Sequence, residues 1–183
     1  MLRSHTFLLV LLAFGLLTGG STAPLRDVVA SEQLPMATVL PVDHAERISN
    51  IVQGYNGVLS DAESERIGRA VVKSASRHGL EPELVTAVLL VESGGRPWAR
   101  SRAGAVGLMQ VMPHMAATMT LAGNLTTVES NIEAGCVILA DNIHRLGEDD
   151  GISAYFWGSN IRGVAYLDRV RAARDAVRRS SES

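Results

Sequence analysis

The chain has 183 residues, with 17 basic and 19 acidic side chains and a formal net charge of −2. That balance excludes a general nucleic-acid binder, whose domains are usually basic. Cys136 is the sole cysteine, which excludes an intrachain disulfide, so stability must come from packing. The length favours one domain with additions at its ends.

Near the N-terminus, Arg3 precedes an apolar run over residues 7–17, with the small residues Gly19, Gly20 and Ser21 behind it. This is the pattern of a secretory signal peptide. The run is about half the roughly 20 apolar residues that span a bilayer, although an uncleaved anchor is the competing reading. Cleavage after Ser21 fits the small-residue rule, and no cysteine lies nearby to carry a lipid. The expectation is a signal peptide over residues 1–21 and a protein exported to the periplasm or cell envelope, soluble after cleavage.

Residues 22–58 read as a tether, since Pro24, Pro35 and Pro41 fall there without a sustained helical period. Within it Asp43 and Glu46 offer a capping box to a short amphipathic helix through Ala45, Ile48, Ile51 and Val52, which Gly54, Asn56 and Gly57 break.

The folded domain is expected over residues 59–179, with a tail at 180–183. Ser60 and Glu63 form a capping box for a helix running to His78, and Gly79 stops it. Its inner face carries Ile67, Val71, Ser74 and His78. Pro82 suits the first turn of the next helix, and Leu84, Val85, Val88, Leu89 and Val91 make that helix almost wholly apolar. It ends at Glu92, because Gly94, Gly95 and Pro97 follow. Residues 104–119 suggest two short helices parted near Pro113. Thr126 and Glu129 are expected to cap a long helix on which Ile132, Cys136, Leu139, Ile143 and Leu146 recur at helical spacing. Asp149 and Asp150 cap a short apolar turn over residues 152–157. A last helix after Ser159 shows Val164, Leu167, Val170 and Val177 on one side. No segment alternates with a strand's period of two. The expected fold is therefore all-α, a compact domain of about six helices.

Glu92 is the main candidate for chemistry. A carboxylate at the end of an apolar helix loses hydration, which raises its pKa towards that of a general acid, and the helix dipole acts in the same direction. On position alone an idle, exposed glutamate is the commoner outcome. The glycines at 104 and 107 let backbone approach a ligand. Gln110 brings an amide that donates and accepts, and Met109 and Met112 bring adaptable apolar walls, one of them expected to be core. Tyr155, Phe156 and Trp157 are adjacent, and such side chains suit sugar rings, which have apolar faces and polar edges. Phe156 is expected to be core. The arginines from Arg162 to Arg179 are most simply a solvated helix face. The histidines show no H-E-x-x-H spacing, and no P-loop or S-x-x-K motif is present, so no metal or cofactor is expected.

Glu92-Ser93-Gly94, then Ala99 and Ser101, then the run from Gly104 through Gly107-Leu108-Met109-Gln110 to Met112-Pro113, resemble the soluble lytic transglycosylases of the goose-type lysozyme superfamily. The resemblance continues through Asn131-Ile132 with Gly135 and Ala154-Tyr155 with Gly158, and covers roughly residues 60–170. It implies a lysozyme-like domain with a substrate cleft. The implied activity is cleavage of the β-1,4 bond between N-acetylmuramic acid and N-acetylglucosamine in peptidoglycan, closing a 1,6-anhydro ring. Glu92 takes the acid/base role in that family, and the substrate's acetamido group replaces a second carboxylate. Ser101 and Tyr155 match positions that orient the glutamate or the acetamido group, and Met109 and Gln110 match cleft positions. The implied partners are peptidoglycan glycan strands, not nucleic acid, with the protein acting as a monomer, either in wall turnover or in an envelope-spanning secretion or conjugation apparatus. The alternatives are a hydrolytic muramidase and a glycan-binding component without activity. The sequence departs from the family where Ala-Tyr-Asn-x-Gly reads Ala-Tyr-Phe-Trp-Gly, which leaves the floor of the cleft open.

Overall fold

A buried helix rarely forms alone. Here the apolar segment after Pro82 becomes the helix around which the others pack. The computed structural model describes residues 42–118 and 123–180. The signal-peptide expectation and the prolines at 24, 35 and 41 lie outside them. The chain divides into two units after Met36, and every described residue belongs to the second.

Among the described residues there are seven helices: α1 Val42–Tyr55, α2 Asp61–Arg77, α3 Pro82–Ser93, α4 Pro113–Thr118, α5 Val128–Leu146, α6 Glu148–Trp157 and α7 Ala165–Arg179. Extended backbone pairs only at isolated bridges, from Val106 to Arg100 and to Val111. The fold is all-α, as expected.

In α3 every residue from Leu84 to Leu90 is buried. α7 packs along it, and α2 and α1 also reach it. α5 joins α2 to α6. The Ser60 capping box forms as read, with the hydroxyl accepting from Glu63 N–H and the Glu63 carboxylate accepting from Ser60 N–H at 3.0 Å. Pro82 takes the first turn of α3, where its missing N–H costs nothing.

The structure departs from expectation where tertiary contacts override local signals. The helix foreseen inside the 22–58 segment begins at Val42, so Asp43 falls inside its first turn, and Ile48 and Val52 are core residues. The chain from Val42 is thus packed structure rather than tether. α1 approaches α2 so closely that a Cβ on Gly68 would collide with the Ala45 carbonyl oxygen. No helix forms over residues 104–112; Pro113 starts α4 instead of parting two helices. The N-cap of α5 is Thr127, not Thr126: the Thr126 hydroxyl donates to Asn124 Oδ1 at 2.7 Å, and Glu129 is held by the Arg66 guanidinium through two 2.6 Å bonds. Asp149 and Asp150 lie in the first turn of α6 rather than capping it, where their charges offset the helix dipole. Val164 precedes α7 and is exposed, while Leu167, Val170 and Val177 are buried as read.

The arginine-rich helix is only partly a solvated face. Arg174 donates to Glu81 at 2.7 Å and to Glu148 at 2.8 Å, Arg178 donates to Glu81, and Arg171 donates to Asp149. These pairs fasten α7 to the start of α3 and of α6.

Glu133 on α5 plays the same role towards α2. Burial pushes its carboxyl up, but hydrogen bonds with Ser74, Arg77 and His78 outweigh this and hold it at about 2, against an ordinary 4.5. A depressed carboxylate stabilises the fold above its unfolded-state pKa, and that contribution fades as pH falls through the folded value. Glu133→Gln is therefore expected to cost about 2 kcal/mol near neutral pH and almost nothing once both forms are protonated. Urea unfolding at neutral pH and near pH 2 checks this.

Candidate active site

The site grows from the way α3 ends. Gly94 adopts the left-handed conformation and its N–H returns to Leu90 O at 2.9 Å. Gly95 follows at φ 76°, and its carbonyl accepts from Asn56 Nδ2 at 2.9 Å, just beyond α1. A Cβ on Gly95 would stand 3.0 Å from Val52 Cγ1, so α1 closes directly over this turn. The turn leaves Glu92 in the last turn of the buried helix, facing α7.

There the Tyr166 hydroxyl donates to Glu92 Oε1 at 2.7 Å. Burial pushes the Glu92 carboxyl up from the ordinary range. The Tyr166 bond and the charge of Arg169 pull it back without reversing the shift. Burial, then the Glu92 charge, push the Tyr166 phenol up as well, so it stays a proton donor in this bond. The Arg169 guanidinium sits 5.7 Å from the centre of the Tyr166 ring, close enough for a cation–π contact. The result is a protonatable carboxylic acid in a partly dry setting, oriented by a phenol.

The loop that follows in the chain is held by its own backbone and by α5. Gly107 N–H bonds Ala99 O at 2.8 Å, and Val106 and Val111 exchange two bonds of 3.1 and 3.0 Å. Asn131, buried on α5, straps the loop down. Its Oδ1 accepts from Met109 N–H at 2.8 Å, and its Nδ2 donates to Val106 O at 2.9 Å and Leu125 O at 3.0 Å. Gly107, at φ 76°, lies against the Asn131 amide, and a Cβ there would overlap it.

The expected site residues fare differently. Burial, then the Glu92 charge, push the Tyr155 phenol up, and its hydroxyl donates to Met109 O at 2.8 Å. Met109 is fully buried, with its side chain against Gly135, where a Cβ would come within 2.6 Å. Its side chain is thus core rather than cleft wall. Gln110 is half-buried, and its amide donates to Gly107 O at 2.9 Å and Ala99 O at 3.3 Å, so the group spends its donors holding the loop. It is the one non-glycine at positive φ among the described residues, at 46°. Ser101 is exposed and accepts from Ala105 N–H at 3.0 Å; among the described residues no hydrogen bond joins it to Glu92. Phe156 is not core: it is 51% exposed and lies stacked on Tyr166, ring centres 4.9 Å apart. The Tyr166 ring beneath it is the buried one of the pair. Trp157 meets Phe156 edge-on at 4.9 Å.

Tyr166 was the residue sequence reading missed. The available signal was a tyrosine on the inner face of an arginine-rich helix, four residues before Val170.

The domain model for the transglycosylase SLT domain matches residues 69–167, more than half of the chain, taking in Glu92, the strapped loop, Asn131, Tyr155 and Tyr166. The chain belongs to the transglycosylase SLT domain family. Among its relatives, a "Transglycosylase" of Enterobacteria phage PRD1 is 36% identical over 97 residues, which is 52% of this chain and 35% of that protein. A "Membrane-bound lytic murein transglycosylase C" of Yersinia pestis is 40% identical over 80 residues, 38% of this chain and 22% of that one. An "Endo-type membrane-bound lytic murein transglycosylase A" of Klebsiella pneumoniae is 49% identical over 41 residues, 22% of this chain and 20% of its own. The chain spans about a third or less of the length of these curated relatives.

Proposed function

We propose that this SLT-domain protein is a peptidoglycan lytic transglycosylase that acts in the cell envelope after residues 1–21 are removed. The observation that carries the reading is Glu92, a partly buried carboxylic acid oriented by Tyr166, inside the segment that matches the family. The envelope location draws support from relatives named as membrane-bound lytic murein transglycosylases. Among the described residues no helix is long and apolar enough to cross a membrane.

The chemistry follows from one group working twice. Protonated Glu92 gives its proton to the glycosidic oxygen as the bond from that oxygen to C1 of N-acetylmuramic acid breaks. The acetamido oxygen of the same sugar stabilises the cation at C1, which is how a glycosidase can do without a second carboxylate. Glu92, now ionised, takes the proton of the C6 hydroxyl while O6 bonds to C1. The 1,6-anhydro ring closes, Glu92 is protonated again, and no water is consumed. General acid–base action of this kind favours a carboxyl pKa raised above the ordinary range, and burial moves Glu92 in that direction.

Tyr166→Phe tests the role of the phenol. The bond favours the ionised form of Glu92, so its loss raises the carboxyl pKa further. The basic limb of the pH–rate profile should then move to higher pH, and kcat should fall by about 10- to 100-fold, the worth of a hydrogen bond to a charged group.

The function itself is tested by incubating purified cell-wall sacculi with the protein. Release of soluble fragments by wild type is expected. A protein that binds sacculi and releases nothing would be a glycan-binding component, as in an envelope-spanning secretion or conjugation apparatus.

A further inference from the structure

Many guanidinium groups elsewhere in the fold are engaged, as in the pairs of Arg66, Arg69, Arg77, Arg145, Arg171 and Arg174. The segment that follows Glu92 is different. From residue 93 to residue 128 the chain carries three arginines and no aspartate or glutamate. All three, Arg96, Arg100 and Arg102, are exposed, and none has an acidic partner among the described residues. The Arg96 guanidinium reaches back over Gly94, its Nη1 lying 3.5 Å from where a Cβ on that glycine would be. Arg100 forms part of the wall of a pocket of about 260 Å³, together with Trp98 and Thr126. Trp98, in the same wall, is 55% exposed and presents its ring to whatever enters the pocket. The floor of the pocket is Val106 and Gly107 of the strapped loop. Unpaired guanidinium groups beside an exposed indole form a site for a carboxylate attached to an organic chain.

Resting on the lytic reading above, we propose that this pocket is a subsite for the carboxylate-bearing peptide stem of the strand being cut. N-acetylmuramic acid carries its stem peptide on the lactyl group, on the same ring whose C1 is attacked. A strand placed at Glu92 therefore brings its acidic peptides within a few residues' reach of the acid. Arg100, in the pocket wall, pairs with a peptide carboxylate, Arg96 and Arg102 beside it in the chain add positive charge, and Trp98 covers the apolar part of the stem. The subsite selects strands that still carry charged stems.

Glycan strands of uniform length, with native stems or with stem carboxylates converted to amides, separate charge from peptide contact. Wild type is expected to cut native strands with a kcat/KM on the order of tenfold above the amidated ones. The variant Arg96→Ala/Arg100→Ala/Arg102→Ala should cut both at the lower rate, and Arg100→Glu should reverse the preference. Because these side chains are exposed and unpaired, circular dichroism of the variants should match wild type. Equal rates of wild type on the two strands, or an equal loss on both in the triple variant, would overturn the subsite. If wild type cuts neither strand, the lytic reading fails on its own. The subsite is then read from strand binding to the Glu92→Gln protein, where tighter binding of native than of amidated strands upholds it and equal binding overturns it.

Discussion

Replacing Glu92 by glutamine is expected to lower the rate of peptidoglycan cleavage by about 10³-fold, within the range set by loss of a general acid and base. Glutamine keeps the shape and can still accept the Tyr166 hydroxyl, so the loss reads proton transfer and not disorder. The same substitution should make the protein more stable near neutral pH. Burial raises the Glu92 carboxyl in the folded chain. A group whose folded pKa is raised contributes stability that is complete below the unfolded pKa and lost as pH rises through the folded value. At neutral pH wild type therefore bears the cost of a buried charge, about 1.4 kcal/mol for each unit of displacement, and glutamine does not. Melting temperatures of the two proteins should coincide near pH 4 and separate as pH rises, with Glu92→Gln the higher.

The second large effect concerns a residue that touches no substrate. Asn131→Leu conserves volume but removes the acceptor for Met109 N–H and the donors for Val106 O and Leu125 O. Asn131 is almost wholly buried, so no water is at hand to replace those bonds. Val106 O keeps its bond from Val111 N–H, but Met109 N–H and Leu125 O are left unpaired; at about 1–3 kcal/mol for each such group the substitution costs about 4 kcal/mol in all. That is a large part of the 5–15 kcal/mol by which domains of this kind are usually stable. Chemical denaturation should show a much lower midpoint. Activity should fall further than the folded fraction does, because Met109 and Gln110 lose the backbone position that Tyr155 and the loop depend on. A variant with unchanged midpoint would mean that the strap is not what holds the loop.

These two residues show what could be read from the chain alone. Glu92 was legible because it ends an apolar helix at Gly94 and Gly95, and local sequence decides both features. The capping box at Ser60 and the spacing from Ile132 to Leu146 were legible for the same reason. The loop from residue 99 to 112 was not. Its glycines and Gln110 take positive φ values, and its shape is imposed by Asn131 from another element, so no local period describes it. The Tyr166 contact joins residues 74 apart in sequence, and only the packing of α7 on α3 brings them together. Phe156 was read as core because an aromatic at a helix end usually is. Its exposure follows from Tyr166 already filling the interior beneath it. Met109 was read as a cleft residue by resemblance, yet Gly135 leaves a hollow in α5 that its side chain fills.

The family membership and the buried acid meet in one claim, that Glu92 delivers a proton and then recovers one from the sugar itself. The mass of the ends released from purified sacculi tests this most directly. Ring closure within N-acetylmuramic acid gives ends one water lighter than reducing ends. The account predicts anhydro ends as the main product of wild type and their absence with Glu92→Gln. Reducing ends alone from wild type would contradict it and show that water, not the C6 hydroxyl, attacks.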